Sequence, residues 1–194
     1  MTTTARATEL KRLHEAPEIL RVVNVWDAIT TKVVSSLGAT RAIATAGHSI
    51  AATFGYPGNP CSGYLLRTGR TSVWLDCGPG TLPALQEHVA VAELDGIVVT
   101  HQHPDHCLEL PVVRNAARYV LGVDRLAVHT TAGTRDVCEA VLGGSADPIE
   151  WNVVGDRSTV DVGDLSFAFS RTDHPVETLA IRVDHAGRSF AYTS

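Results

Sequence analysis

The sequence has little of what marks membrane, secreted or nucleic-acid-binding proteins. Its 194 residues contain no apolar run approaching the length of a membrane span, so no membrane partner is expected. Residues 1–20 lack the apolar middle segment of a secretory signal, which predicts a cytoplasmic protein. The formal net charge of −5 gives no support for a nucleic-acid partner. A local patch could oppose that net charge, so the charge alone leaves a nucleic-acid partner open.

The cysteines do not form metal or redox motifs. None belongs to a C-x-x-C pair, which argues against a zinc knuckle and against a thioredoxin-like site. Reduced thiols are the simplest expectation in a cytoplasmic protein. The apolar fraction of 44% and the charged fraction of 19% are ordinary for a globular protein with a core. The four cysteines are Cys61, Cys77, Cys107 and Cys138.

Alternating strand and helix patterns predict an α/β fold. Near the N-terminus, Ile19–Val25 and Arg41–Thr45 are apolar runs typical of buried strands. Asp27 is a suitable N-cap for a helix between them. Turn-forming residues at 55–60 then separate this strand–helix–strand segment from the rest of the chain. We therefore predict an N-terminal segment over residues 1–57 and a domain over residues 58–194.

The second part alternates between shorter strands and helices. Strands are predicted at 63–67, 72–76, 97–100, 126–129, 158–161, 165–171, 179–184 and 189–192. Helices are predicted over 82–89, 109–120 and 134–142. The first two strands form a hairpin, because turn residues at 68–70 separate them.

One segment concentrates residues that bind metal ions. An apolar strand ends at Thr100, and His101, His103, Asp105 and His106 follow within a tight loop. Imidazole and carboxylate groups together suit zinc and similar divalent ions. Such a loop can supply ligands to two ions. His101 and His103 would bind the first ion, and Asp105 and His106 would bind the second. Two neighbouring ions activate water for attack on a phosphoryl or acyl centre.

Two plainer interpretations compete with a catalytic metal centre. The first is that the histidines and the aspartate cluster after an apolar strand by chance. The second is a structural metal site, although such sites are usually closed and rich in thiolate ligands. Mixed imidazole and carboxylate ligands favour the catalytic interpretation.

The segment from Thr100 to His106 resembles the H-x-H-x-D-H signature of the metallo-β-lactamase fold superfamily. The resemblance extends over residues 58–194 and implies an αββα sandwich. It implies that Asp76 supports the metal loop without binding the ion, a common role for carboxylates near a metal; a turn or helix-cap role is the alternative. It also implies that His174, within Thr172–Glu177, completes the three-imidazole set of the first ion.

Smaller motifs resemble the phosphodiesterase branch, a relative of the tRNA 3′-processing endonucleases. They are residues 60–66, 106–110 and 173–177. This resemblance implies a small-molecule phosphodiester substrate, such as a cyclic nucleotide, and a centre of two Zn²⁺ ions, with Mn²⁺ as the alternative. Asp105 would bind the second ion and handle protons. A homodimer stays open, and β-lactam hydrolysis is not implied.

In this family the last predicted strand is followed by Ser-Gly-Asp-Thr, whose aspartate bridges the two ions. The sequence stops at Thr193 and Ser194, which resembles a truncated chain. An inactive metal-binding fragment is therefore an alternative to an active hydrolase.

Residues 20–28 and 38–47 resemble the first strand–helix–strand unit of the isocitrate lyase/phosphoenolpyruvate mutase family. The resemblance implies a fusion with a piece of a (β/α)₈ barrel, and an ordinary α/β segment is the alternative. A lyase or mutase acting on 2-oxo or dicarboxylic acids is the function that this segment alone would imply. The metal-binding carboxylates of that family have no counterpart here.

Overall fold

The computed structural model describes two short strands near the N-terminus and residues 60–193. The strands are β1 (Val22–Val25) and β2 (Ala42–Thr45), and they pair in parallel. Parallel neighbours need a crossover connection, which agrees with the predicted strand–helix–strand unit. The helix predicted from Asp27 and the boundary predicted at residue 57 lie outside the described residues and stay predictions.

The larger sheet has five strands in the order β3-β4-β5-β6-β7. Strands β3 and β4 form the predicted antiparallel hairpin, and the other neighbours pair in parallel. The carboxyl ends of β4, β5 and β6 therefore lie along one edge of the sheet. The strands are β3 (Tyr64–Arg67), β4 (Ser72–Leu75), β5 (Gly96–Val99), β6 (Leu126–Thr130) and β7 (Ile149–Val153).

The second sheet is an antiparallel meander of four strands in the order β11-β10-β9-β8. The strands are β8 (Thr159–Val162), β9 (Leu165–Arg171), β10 (Leu179–His185) and β11 (Arg188–Tyr192). The tight turns after β8 and β10 contain Gly163 and Gly187 at positive φ, a conformation that glycine adopts without a steric cost. Along β9 and β10, buried residues alternate with more exposed ones, as in a sheet with one face on the core.

Along the chain, helices follow β4, β5 and β6 of the first sheet. They are α1 (Thr81–Gln86), α2 (Pro104–Cys107), α3 (Glu109–Ala116) and α4 (Ala132–Leu142). A 3₁₀ turn at Val91–Glu93 precedes β5, and α3 continues into a π-helical turn at Ala117–Leu121. No helix among the described residues has the length and apolarity to cross a membrane.

The core has two parts because β-strand side chains alternate between the faces of a sheet. Trp74 and Ile97 point to the helical side and pack with Leu110 of α3. Leu75 and Val98 point the other way and pack with the inner residues of the second sheet, such as Phe167. The described residues thus supply three layers of the expected αββα sandwich, namely helices, first sheet and second sheet.

Three local predictions need correction. Strand β7 was not predicted. The ligand segment is not wholly a loop, because α2 begins at Pro104, a residue suited to a first helical position. The helix predicted over 109–120 is α-helical only to Ala116.

Candidate metal centre

The ligand segment begins where β5 leaves the core. All four residues of β5 are buried, and Thr100 and His101 directly after it are buried as well. His103 has an extended backbone and occupies the N-cap position of α2. Asp105 and His106 lie on the single turn of that helix. The change from strand to helix therefore presents four candidate ligands at the carboxyl edge of the first sheet, where α/β folds usually bind ligands.

Three histidines converge, two from this segment and His174 from the loop between β9 and β10. The Nδ1 atom of His103 lies 3.1 Å from Nε2 of His101 and 3.1 Å from Nε2 of His174. One ligand atom of each ring lies within 4.8 Å of the others. A backbone hydrogen bond from Leu179 N to Thr100 O, 3.2 Å long, joins the two sheets beside this cluster.

The geometry of these nitrogens fits a metal ion. Nitrogens bound at 2.0–2.1 Å to a tetrahedral zinc lie about 3.3–3.4 Å apart, close to the 3.1 Å separations around His103. Nδ1 of His101 lies 3.0 Å from the Thr100 hydroxyl oxygen, so a proton on Nδ1 leaves a lone pair on Nε2. A proton on His103 Nδ1 can form a hydrogen bond to only one of the two neighbouring nitrogens, Nε2 of His101 or Nε2 of His174. A cation between the rings can accept a lone pair from all three nitrogens.

Asp105 and His106 contact each other, and His106 lies beside His101. Oδ2 of Asp105 is 3.5 Å from Nε2 of His106, and the ring centroids of His106 and His101 are 4.3 Å apart. Burial, followed by the nearby His103 and His106, lowers the pKa of His174. A lowered pKa favours the neutral imidazole, which is the form that binds metal.

Asp76 supports both parts of the centre from a fully buried position directly after β4. Its Oδ1 accepts hydrogen bonds from Thr100 N and Oγ1 at 2.8 and 3.0 Å. Its Oδ2 lies 2.7 Å from Nδ1 of His106 and 2.8 Å from the hydroxyl oxygen of Tyr192. The contact with Nδ1 leaves Nε2 of His106 as the candidate metal-binding atom, the usual arrangement of carboxylate and histidine at zinc. Asp76 has a φ of 56°, which Asp adopts more readily than most residues.

Close backbone packing holds the ligand segment. Cys77 N donates to His106 O at 2.6 Å, and Ser62 N donates to Asp105 O at 3.2 Å. A Cβ added to Gly78 would lie 2.0 Å from Asp105 O, so only glycine fits there. The Ser62 hydroxyl lies 3.5 Å from Nε2 of His106.

Sequence reasoning did not find Tyr192, Gly78 or Ser62. A long-range contact of Tyr192 has no local sequence signal, because 116 positions separate it from Asp76. A Gly-Pro-Gly sequence directly after a strand, as at Gly78, is a signal of close backbone approach that could have been used.

Three further histidines in the described part of the chain, His88, His129 and His185, do not belong to the convergent cluster. His88 is exposed, and His185 is partly exposed with its Nδ1 atom 2.9 Å from Asp164 O. His129 is buried, its Nδ1 has no hydrogen-bond partner among the described residues, and burial lowers its pKa. His14 and His48 lie outside the described residues.

A family model connects this geometry with known proteins. The model described as the metallo-beta-lactamase superfamily matches residues 56–190. The chain belongs to this superfamily. The matched range includes all three histidines of the cluster. A separate model, described as phosphoenolpyruvate phosphomutase, matches residues 10–62.

Individual relatives agree with this assignment. The uncharacterized protein Rv1339 of Mycobacterium tuberculosis is 32% identical over 155 residues, which cover 71% of this chain and 54% of the relative. Ribonuclease Z of Methanopyrus kandleri is 28% identical over 124 residues, covering 63% of this chain and 43% of the relative. The chain thus spans about half the length of the curated relatives it matches.

A solved structure shows the same fold. The crystal structure of the metallo-beta-lactamase fold protein YhfI from Bacillus subtilis superposes with a TM-score of 0.64 at 23% identity. The match covers 72% of this chain and 56% of that chain. At this level of identity the likeness concerns the fold alone.

Proposed function

We propose that this protein is a metal-dependent phosphodiesterase that acts on a small phosphodiester such as a cyclic nucleotide. The observation that carries the proposal is the convergence of His101, His103 and His174, with one ligand atom of each within 4.8 Å of the others.

Each residue of the centre has a proposed role. His101, His103 and His174 bind the first ion. Asp105 and His106 bind the second ion. The ions, zinc or alternatively manganese, supply Lewis acidity that activates water and neutralises charge on the phosphoryl oxygens. The Asp105 side chain is 17% exposed and handles protons during the reaction. Asp76 keeps His106 oriented through its Nδ1 atom.

The substrate class rests on chemistry and on one relative. Ribonuclease Z is by its name a nuclease, and RNA linkages are phosphodiesters. The net charge of −5 does not favour a polyanionic RNA, which makes a small phosphodiester the better proposal and leaves tRNA as the alternative.

Metal content and turnover test the proposal together. The protein, loaded with zinc or with manganese, is assayed on bis-p-nitrophenyl phosphate and on 3′,5′-cyclic AMP, and bound metal is measured by elemental analysis. We expect His103→Ala and His174→Ala to lose bound metal and at least about 100-fold in kcat/KM, a usual scale for losing a group that stabilises the transition state. The matched control is His88→Ala, which removes an exposed imidazole and should behave like the wild type.

The outcomes separate the competing functions. Metal binding without turnover on either phosphodiester would support an inactive metal-binding protein and contradict the proposal. Equal metal content in His103→Ala and wild type would contradict the ligand assignment. The match of residues 10–62 to phosphoenolpyruvate phosphomutase favours a lyase or mutase as the second candidate. Turnover of a 2-oxo or dicarboxylic acid that survives chelation and His103→Ala would support that candidate.

A further inference from the structure

Tyr192 connects the second sheet to the metal centre. It is the last residue of β11, and its hydroxyl donates a hydrogen bond of 2.8 Å to Oδ2 of Asp76, which follows β4 in the first sheet. Its ring packs on the core between the sheets and lies 5.1 Å from the ring of Tyr64, centroid to centroid. The packing holds the hydroxyl toward Asp76.

The oxygen that accepts from Tyr192 is the same oxygen that contacts His106. Oδ2 of Asp76 lies 2.8 Å from the hydroxyl and 2.7 Å from Nδ1 of His106, while Oδ1 accepts from Thr100. Thr100 Oγ1 also lies 3.2 Å from Oδ2. Tyr192 and Thr100 together fix the plane of the carboxylate in an orientation that keeps Oδ2 beside Nδ1 of His106.

The tyrosine is a permanent donor in this position. Burial, followed by the negative charge of Asp76, raises the pKa of Tyr192 well above its usual range. The hydroxyl therefore keeps its proton at neutral pH. A buried carboxylate that loses one donor is costly, and it would turn toward another partner.

We propose that Tyr192 is a positioning residue of the metal centre, which acts through Asp76 to hold His106 in its metal-binding orientation. The inference rests on the proposed metal-dependent function and names a residue that contributes without touching ion or substrate. Removing the hydroxyl leaves the ligands in place but frees Asp76 to rotate. Partners of this kind typically contribute 10–100-fold in metal affinity.

Cobalt(II) affinity, measured by competition with a chromophoric chelator, tests the proposal in a double-mutant cycle. The variants are Tyr192→Phe, which keeps the ring, Asp76→Asn, which suits the left-handed backbone at this position, and the double variant. Tyr64→Phe is the matched control, because Tyr64 contacts the same ring and is 48% exposed. Urea unfolding of each metal-free variant reports whether the fold is retained.

We expect Tyr192→Phe to weaken cobalt binding about ten-fold and Tyr64→Phe to leave it unchanged. In the Asp76→Asn background the tyrosine substitution should have no further effect, since the positioning acts through that carboxylate. Wild-type affinity in Tyr192→Phe, or effects that multiply in the double variant, would overturn the inference and leave the proposed function standing. A wild type that binds no cobalt would overturn the proposed function and this inference with it.

Discussion

At the residue scale, the centre depends on a buried charge that only hydrogen bonds and a cation can stabilise. Asp76 is fully buried, and none of its described hydrogen-bond partners is a lysine or arginine. Donors from Thr100, Tyr192 and His106 satisfy its oxygens. Because a buried carboxylate without such partners would be neutral or destabilising, this network is a strong constraint on the local sequence.

The backbone packs closely around Gly78. We expect Gly78→Ala to lower the free energy of unfolding by at least about 1–3 kcal/mol, a usual cost of overpacking, because its Cβ would lie 2.0 Å from the Asp105 carbonyl oxygen. Bound metal should fall as well. Gly69→Ala is the control, since nothing lies within 4 Å of a Cβ there. Urea unfolding and elemental analysis measure both effects, and equal stability of the two variants would contradict the packing argument.

His129 makes stability depend on pH. Burial lowers its pKa below the usual value near 6.5, while the charge of nearby Glu150 acts in the opposite direction and that of Arg125 in the same one. In the unfolded chain the imidazole takes up a proton as the pH falls through about 6.5, and in the folded chain it does so only at lower pH. Above about pH 6.5 the imidazole is neutral in both states and leaves the free energy of unfolding unchanged. Below that pH the free energy of unfolding decreases as the pH falls toward the pKa of His129 in the folded state.

The substitution His129→Gln should reduce the decrease in the free energy of unfolding at low pH. Urea unfolding of the metal-free protein at pH 7.5 and 5.5 should show a smaller decrease in the variant than in the wild type. The exposed His88 provides the control, and His88→Gln should keep the wild-type decrease. An unchanged decrease in His129→Gln would show that this imidazole is not protonated on unfolding.

At the element scale, the helices stabilise the site from behind the first sheet. Leu110 of α3 is fully buried against that sheet, whereas Val112 of the same helix is 52% exposed. We expect Leu110→Ala to cost about 2–5 kcal/mol of unfolding free energy and Val112→Ala to stay within about 0.5 kcal/mol of wild type. Chemical denaturation measures both. Similar costs would mean that α3 does not pack on the sheet as described.

The sequence predicts the elements unevenly, for physical reasons. The hairpin of β3 and β4 and the meander from β8 to β11 are predicted well, because turn residues separate runs that fit strands. Strand β7 was not predicted, although its sequence Ile-Glu-Trp-Asn-Val alternates apolar and polar residues as a half-buried strand does. The helical turn from Pro104 is hidden because four residues are too few for a periodic pattern.

At the scale of the whole molecule, the site forms where the carboxyl edge of the first sheet meets the loop between β9 and β10. His101 and His103 are two positions apart in sequence, so their grouping could be predicted from spacing alone. His174 and Tyr192 come from the second sheet, and only the packing of one sheet on the other brings them to the centre. For His174 a family resemblance supplied the expectation, and for Tyr192 nothing local in the sequence could do so.

Anomalous diffraction from crystals grown with zinc, with data collected on both sides of the zinc absorption edge, tests the central claim most directly. We expect a peak between the three rings, about 2.0–2.1 Å from Nε2 of His101, Nδ1 of His103 and Nε2 of His174. A second and weaker peak is expected beside Asp105 and His106. Crystals that show no anomalous peak between the three imidazoles, with the ring nitrogens still hydrogen-bonded to one another, would contradict the assignment of this cluster as a metal centre.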